Sequence, residues 1–273
     1  MRGRRGAYGL TLDGVESPAL VDAPASWPAV RVTRHVGRRG DERTSVGSDS
    51  AHIALETAGH IAVERDPPAI AFTTVRPLAD DELAHPFLAR PAALLATWHG
   101  HVALHAGAVL AGDGACLVSG AREAGKSSLL AALAVAGHGV LADDLVVATA
   151  AATALAGPRT IDLRDADTPL GGAALEPARQ HTRWRLALAD VPAEVPLRAL
   201  VSLEWGGDVR VEPLGADERF AFLQQRLTLG RLPADRRPLL ALTALPGFRL
   251  VRPRRWDAVP ETIEALLTAV ARA

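Results

Sequence analysis

The chain has 273 residues, 48% hydrophobic and 22% charged, which sustains a large globular core and excludes a disordered polymer. A formal net charge of −1 gives no overall field toward nucleic acid or an anionic membrane, and a single cysteine excludes an internal disulfide or a cysteine-based zinc site. No uncharged apolar run reaches the roughly 18 residues of a membrane span, and Met1-Arg2-Gly3-Arg4-Arg5 leads into no secretory core. The expected location is therefore the cytoplasm, with neither nucleic acid nor membrane as a partner.

In chain order, residues 1–90 carry short alternating runs such as Val30-Arg31-Val32-Thr33 and Ile61-Ala62-Val63-Glu64 between Pro and Gly, which predict a small β-rich N-terminal region. Arg34, Arg38, Arg39 and Arg43, with Gly37 and Gly40, read as a solvated charged loop. Residues 91–273 form the second predicted unit, an α/β domain. Pro91 opens a short helix over Ala92–Trp98. Val102–Leu110 and Ala115–Ser119 are expected as strands of a hairpin turning at Gly112-Asp113-Gly114, with Cys116 a small core residue. Leu129, Leu130, Leu133 and Ala134 predict a helix over Ser127–Ala136, ended by Gly137-His138-Gly139. Val140–Val147 reads as a buried strand interrupted by Asp143 and Asp144. Farther on come strands over Leu197–Trp205 and Val209–Val211 and helices over Asp217–Leu229, Arg237–Leu245 and Pro260–Ala273. The last carries Ile263, Leu266, Leu267 and Val270 on one face. Trp205 and Trp256 read as packed strand residues.

The chemistry concentrates around Lys126, the single lysine among 30 Lys and Arg. It lies in Gly120-Ala121-Arg122-Glu123-Ala124-Gly125-Lys126-Ser127, a full match to the phosphate-binding pattern G-x-x-x-x-G-K-[ST]. A compact ammonium on a thin stem enters a backbone nest beside phosphate oxygens, where a planar guanidinium is too broad. The loop amides from Gly120 to Lys126 and the helix start at Ser127 and Ser128 are thus the candidate ATP site, although Ser128 also reads as a cap or packing residue. The Ser127 hydroxyl is the candidate ligand for Mg²⁺. Two adjacent acids at the end of an apolar strand call for an explanation, because a buried carboxylate is costly without a partner. On a continuing strand Asp143 and Asp144 face opposite sides, which suggests separate roles, one at the metal and one as acceptor of a hydroxyl proton. A strand-ending turn residue is the plainer reading of either. Arg122, Arg183 and Arg185 are further candidates for phosphate, and Asp162 or Asp165 for metal.

Leu104-His105-Ala106-Gly107-Ala108-Val109, the Gly120–Ser127 loop, Gly137-His138 and Leu141-Ala142-Asp143-Asp144 together resemble the catalytic core of HPr kinase/phosphorylase over residues 101–147. The resemblance implies a P-loop kinase core with the mixed sheet shared with phosphoenolpyruvate carboxykinases, using ATP and Mg²⁺. It implies that His105 polarises the active-site aspartate, that Asp144 accepts the proton of a serine, and that Asp143 is left to the metal with Ser127. Oligomers are common in that family. Its downstream glutamate signature is missing here, where Pro158–Asp165 has a different pattern, so phosphorylase activity is not implied. Ala7-Tyr8-Gly9-Leu10-Thr11-Leu12 and His85-Pro86-Phe87-Leu88 resemble divergent HPr-kinase-like proteins encoded beside peptide natural products, some of which phosphorylate a serine ending a lasso-peptide precursor. The expectation is an ATP-dependent kinase acting on a serine of a small protein or precursor peptide. Its rivals are a kinase for a small hydroxylated metabolite and a non-catalytic, nucleotide-regulated peptide-binding protein.

Overall fold

The computed structural model describes residues 3–37, 43–55, 59–165, 169–178, 182–230 and 235–272. The architecture is mixed α/β, and its centre is the 12-residue strand Glu194–Trp205. That strand pairs in parallel with Gly114–Gly120 on one side and Gly247–Arg252 on the other, while its first residues pair antiparallel with Thr153–Leu155. Gly107–Ala111 continues the sheet antiparallel to Gly114–Gly120, and Val140–Ala142 lies antiparallel to Gly107–Ala111. Two antiparallel pairings in succession restore direction. The strands 114–120, 140–142, 194–205 and 247–252 therefore all end at one edge of the sheet, where ligands of open α/β sheets are held.

Alternation along Gly114–Gly120 explains why it reads as an unbroken apolar run. Ala115 and Leu117 enter a core shared with the N-terminal region, whereas Cys116 and Val118 enter a second core beneath the helices Lys126–Val135 and Val259–Ala271. Cys116 is fully buried, and burial pushes its thiol up to about 12. Leu266 and Val270 of the C-terminal helix are buried as its periodicity predicts. The Gly112-Asp113 turn joins Ala111 to Gly114, with Gly112 at φ 60°.

The N-terminal region forms an eight-stranded sheet between Arg5 and Thr74. Its inward side chains, among them Leu10, Ile61 and Phe72, belong to the same apolar cluster as Leu104 and Leu141 of the central sheet. The two regions are thus fused by a common core. A three-stranded antiparallel sheet of Thr160–Leu163, Arg183–Ala187 and Glu176–Ala178 flanks the site. No helix among the described residues is long and apolar enough to cross a membrane.

Several expectations need correction. Val102–Leu110 is not one strand: it breaks at His105-Ala106 into Val102–Leu104 and Gly107–Ala111. Val140–Val147 breaks in the same way into Val140–Ala142 and Val146–Ala148. The two breaks face each other, since Leu104 pairs with Val146 and Ala108 with Ala142. A single ladder has split between two arms of the sheet, and period-two hydrophobicity on both sides of the split conceals it. Arg34 lies within the strand Ala29–Val36 and pairs with Asp80, and Arg38 and Arg39 fall outside the described residues. Trp256 starts a short 3₁₀ turn, Trp256–Ala258, rather than packing in a strand.

Candidate active site

The loop leaves the strand Gly114–Gly120 and enters the helix Lys126–Val135 through two residues with positive φ, Glu123 (67°) and Gly125 (76°). Both glycines are required by close approach. A Cβ on Gly120 would lie 2.8 Å from the Leu203 carbonyl oxygen, and one on Gly125 would lie 2.5 Å from an Arg252 nitrogen and 2.9 Å from the Trp205 ring. Behind the loop, Arg252 stacks over Trp205 at 4.2 Å and donates to the carbonyls of Ala124 (3.0 Å) and Gly125 (3.1 Å). Trp205 Nε1 donates to the Glu123 carbonyl at 3.1 Å. Within the loop the Ala124 amide donates to the Ala121 carbonyl at 3.0 Å. Burial pushes Arg252 down to about 10, so it remains a cation throughout the neutral range. Ser127 and Ser128 occupy the first helical turn, half-buried, where the backbone N–H groups have no intrahelical partner.

Lys126 reaches across the loop to both acids. Its Nζ donates to Asp143 Oδ1 in a short contact and to Asp144 Oδ1 at 3.2 Å. The Lys126 side chain is 11% exposed, that of Asp143 1% and that of Asp144 40%. Burial opposes the ammonium, but Asp143 and Asp144 together outweigh it, and Lys126 titrates above the ordinary lysine range. Burial likewise opposes ionisation of Asp144, and it is overcome chiefly by Lys126, then by His85 and His105, so Asp144 titrates below the ordinary range. One ammonium between two carboxylates leaves the group with a net negative charge. Asp143 Oδ2 is buried without a hydrogen-bond partner.

The strand break accounts for the acid geometry. Because the strand ends at Ala142, the two carboxylates do not diverge to opposite faces as a continuing strand requires; Asp144 takes a left-handed conformation, φ 64°, and both reach Lys126. His105 stabilises that turn. Its Nδ1 lies 2.9 Å from the backbone oxygen of Asp144, and a carbonyl only accepts, so Nδ1 carries a proton and donates. The contact is to the backbone of Asp144, whereas the resemblance implied one to its carboxylate. His105 is itself fixed by Ser119 Oγ, which donates to its carbonyl at 2.8 Å, and by its own amide, which donates to Arg226. Arg159, buried and lowered by burial to about 10, donates to the carbonyls of Leu141 and Ala189 and so braces the strand that delivers the acids.

The structure therefore brings together Lys126, Asp143, Asp144, His105 and the Gly120–Ser128 segment. It draws other candidates elsewhere. Asp162, whose side chain is fully buried, takes a two-pronged contact from Arg185 at 2.8 and 3.1 Å and lies 3.5 Å from His85 Nε2, so Asp162 and Arg185 occupy each other. Arg122 and Asp165 are exposed, and Arg183 donates to the carbonyl of Thr182. Among the described residues, no three His, Cys, Asp or Glu side chains cluster as a metal site. Sequence reasoning missed Arg252 and Arg159, which come from distant segments and carry no spacing signal, and it gave His85 no role at the site. An unusual Gly-Trp-Arg contact is visible only in three dimensions.

No family model matches the chain, and no curated protein matches it. Among solved structures it is similar to that of the Hpr(Ser) kinase/phosphatase from Coxiella burnetii, at 15% sequence identity, over 62% of this chain and 95% of that chain, with a TM-score of 0.29. A TM-score that low supports neither a common fold nor a common chemistry. The functional reading rests on the residues of the site.

Proposed function

We propose that this chain is an ATP- and Mg²⁺-dependent phosphotransferase whose acceptor is a hydroxyl, with a serine of a small protein or peptide as the substrate class. The observation that carries the reading is the single lysine of a GxxxxGKS loop held between two carboxylates at the edge where four strands end. The loop suits a polyphosphate: its glycines let the backbone fold closely onto Leu203, Trp205 and Arg252, and the adjoining helix start offers donors without intrahelical partners. The residues also fit a hard cation. The unpartnered Asp143 Oδ2 and the Ser127 hydroxyl are the oxygen donors, and the negative surplus of the Lys126 group favours positive charge. Asp143 Oδ2 and the Ser127 hydroxyl would hold Mg²⁺, which would supply charge neutralisation for the phosphoryl group.

The chain's own residues then divide the work. Lys126 is shared between the acid pair and the phosphates, and the loop amides fix the γ-phosphoryl group in line with the acceptor. Asp144, more exposed than Asp143, stays ionised because of Lys126, and it is placed to take the proton from the attacking hydroxyl. His105 holds the left-handed turn that aims Asp144, through the carbonyl bond. The test is transfer of γ-labelled phosphate from ATP to serine peptides, with small hydroxylated metabolites as a parallel arm. Transfer by the parent and its loss in Asp144→Asn, with ATP binding kept, is the expected pattern. Undiminished transfer by Asp144→Asn removes it as the base.

A further inference from the structure

Tyr8 is the chain's single tyrosine, and it occupies a position hostile to one. The strands Arg5–Ala7 and Leu10–Asp13 pair with Ala7 opposite Leu10, leaving Tyr8-Gly9 as a two-residue hairpin turn. Both residues have positive φ, 59° and 81°. Asn-Gly or Asp-Gly suits such a backbone, and a bulky aromatic there is an outlier that its surroundings must enforce. A hairpin tip also ordinarily faces water, yet Tyr8 is 1% exposed. Its amide donates to Ala156 at 2.7 Å. A Cβ on Gly157 would touch Tyr8 Cε1 at 2.9 Å and Ala142 Cβ at 3.0 Å, so the ring passes beside the last residue before the acid pair.

Five buried side-chain atoms among the described residues have no hydrogen-bond partner, and the hydroxyl of Tyr8 and Oδ2 of Asp143 are two of them. One is a donor and the other an acceptor. Buried polar groups in native proteins are met by protein or by ordered water, and one water can serve a donor and an acceptor together. Burial, with the negative fields of Asp144 and Asp143, pushes the phenol well above the ordinary tyrosine range, against a smaller opposing pull from Arg159. A phenol is in any case protonated at neutral pH, so the group can donate.

We propose that Tyr8 is a positioning residue of the acid pair, its hydroxyl donating through one buried water to Asp143 Oδ2 while Oδ1 receives Lys126. The N-terminal sheet thereby contributes to the site through its first hairpin, and the strained turn is the cost of delivering the hydroxyl. The water leaves one lone pair of Asp143 Oδ2 for a cation. The catalytic consequence rests on the phosphotransfer reading above; the contact does not.

The experiment separates the two. Tyr8→Phe removes the hydroxyl and keeps the shape. If the hydroxyl is satisfied, urea unfolding of this variant shows an unfolding constant raised about tenfold. If it has no partner, phenylalanine lowers the constant, and the proposal is overturned. A cycle with Asp143→Ala is expected to show coupling of about threefold or more, and strict additivity likewise overturns it. In a parent that transfers phosphate, Tyr8→Phe should lower kcat about tenfold with KM for ATP within about twofold, as for a group acting through a base or metal ligand. An unchanged kcat refutes the positioning role. A parent without transfer refutes only the phosphotransfer reading, and the unfolding cycle still decides the contact.

Discussion

On one flank of the Gly120–Ser127 loop, Trp205 and Arg252 hold three backbone carbonyls by stacking and hydrogen bonds; on the other, Lys126 lies between two carboxylates whose charge exceeds its own. The first flank is shaped for support, because Trp205 Nε1 and one Arg252 nitrogen are spent on loop carbonyls. The second has a negative surplus and an oxygen left over. A cationic support turned to carbonyls has no call for a further cation, whereas a carboxylate surplus does. This contrast separates residues that should alter chemistry from residues that should alter loop shape.

Breaking the charged flank should have the largest effect. Lys126→Met leaves Asp143 buried without its cation, and removal of one partner from a buried pair costs about 3–5 kcal/mol. ATP binding by calorimetry should vanish, and Lys126→Met combined with Asp143→Asn and Asp144→Asn should regain stability but not binding. Asp144→Asn alone should lower kcat by about 10²–10⁴-fold with little change in ATP affinity, since it removes the proton acceptor and keeps the shape. A parallel loss of affinity would move Asp144 from the acceptor to the phosphate side.

Breaking the supporting flank should do less and in a different currency. Arg252→Ala frees the Ala124 and Gly125 carbonyls and should weaken ATP binding about tenfold while kcat at saturation changes little. Arg252→Lys should resemble it, because an ammonium lacks the planar face that stacks on Trp205 while one nitrogen donates to both carbonyls. The flanks should also respond oppositely to pH. With its folded value depressed, Asp144 contributes stability that is present above its unfolded value, about 3.9, and lost as pH falls through the lower folded value. The stability advantage of the parent over Asp144→Asn should hold from neutral pH to about pH 5 and shrink below about pH 4, while that over Arg252→Ala stays flat. The smallest effect belongs to Arg164→Ala, whose partner Glu123 lies on the exposed rim of the loop at 2.9 Å; ATP affinity should stay within about twofold.

The loop, the helix after it and the buried strand before it were legible because each depends on neighbouring residues: glycines at fixed spacing, helix formers at 3.6-residue period, a continuous apolar run. The mixed architecture was also legible, from the Gly112 hairpin. The break at His105 and at Asp143-Asp144 was not. Each half-strand is apolar by itself, and only the rival pairing partners, Val146–Ala148 for one half and Gly114–Gly120 with Val140–Ala142 for the other, force the chain apart. The acid pair's convergence on Lys126 follows from that break, so alternation along a strand gave the opposite expectation.

Sequence alone thus determined which atoms are available: one ammonium in a glycine-rich loop, two adjacent carboxylates and a histidine about forty residues before them, placed at spacings that short-range geometry can interpret. Tertiary structure decided which of them meet. It gave Asp162 to Arg185, gave the backbone of Asp144 to His105, and brought Trp205 and Arg252 to the loop from segments far away in the chain. The reason is physical. Local propensity is encoded in consecutive residues, but hydrogen-bond and charge partners in a low-dielectric interior are chosen by competition among all the groups the fold buries together.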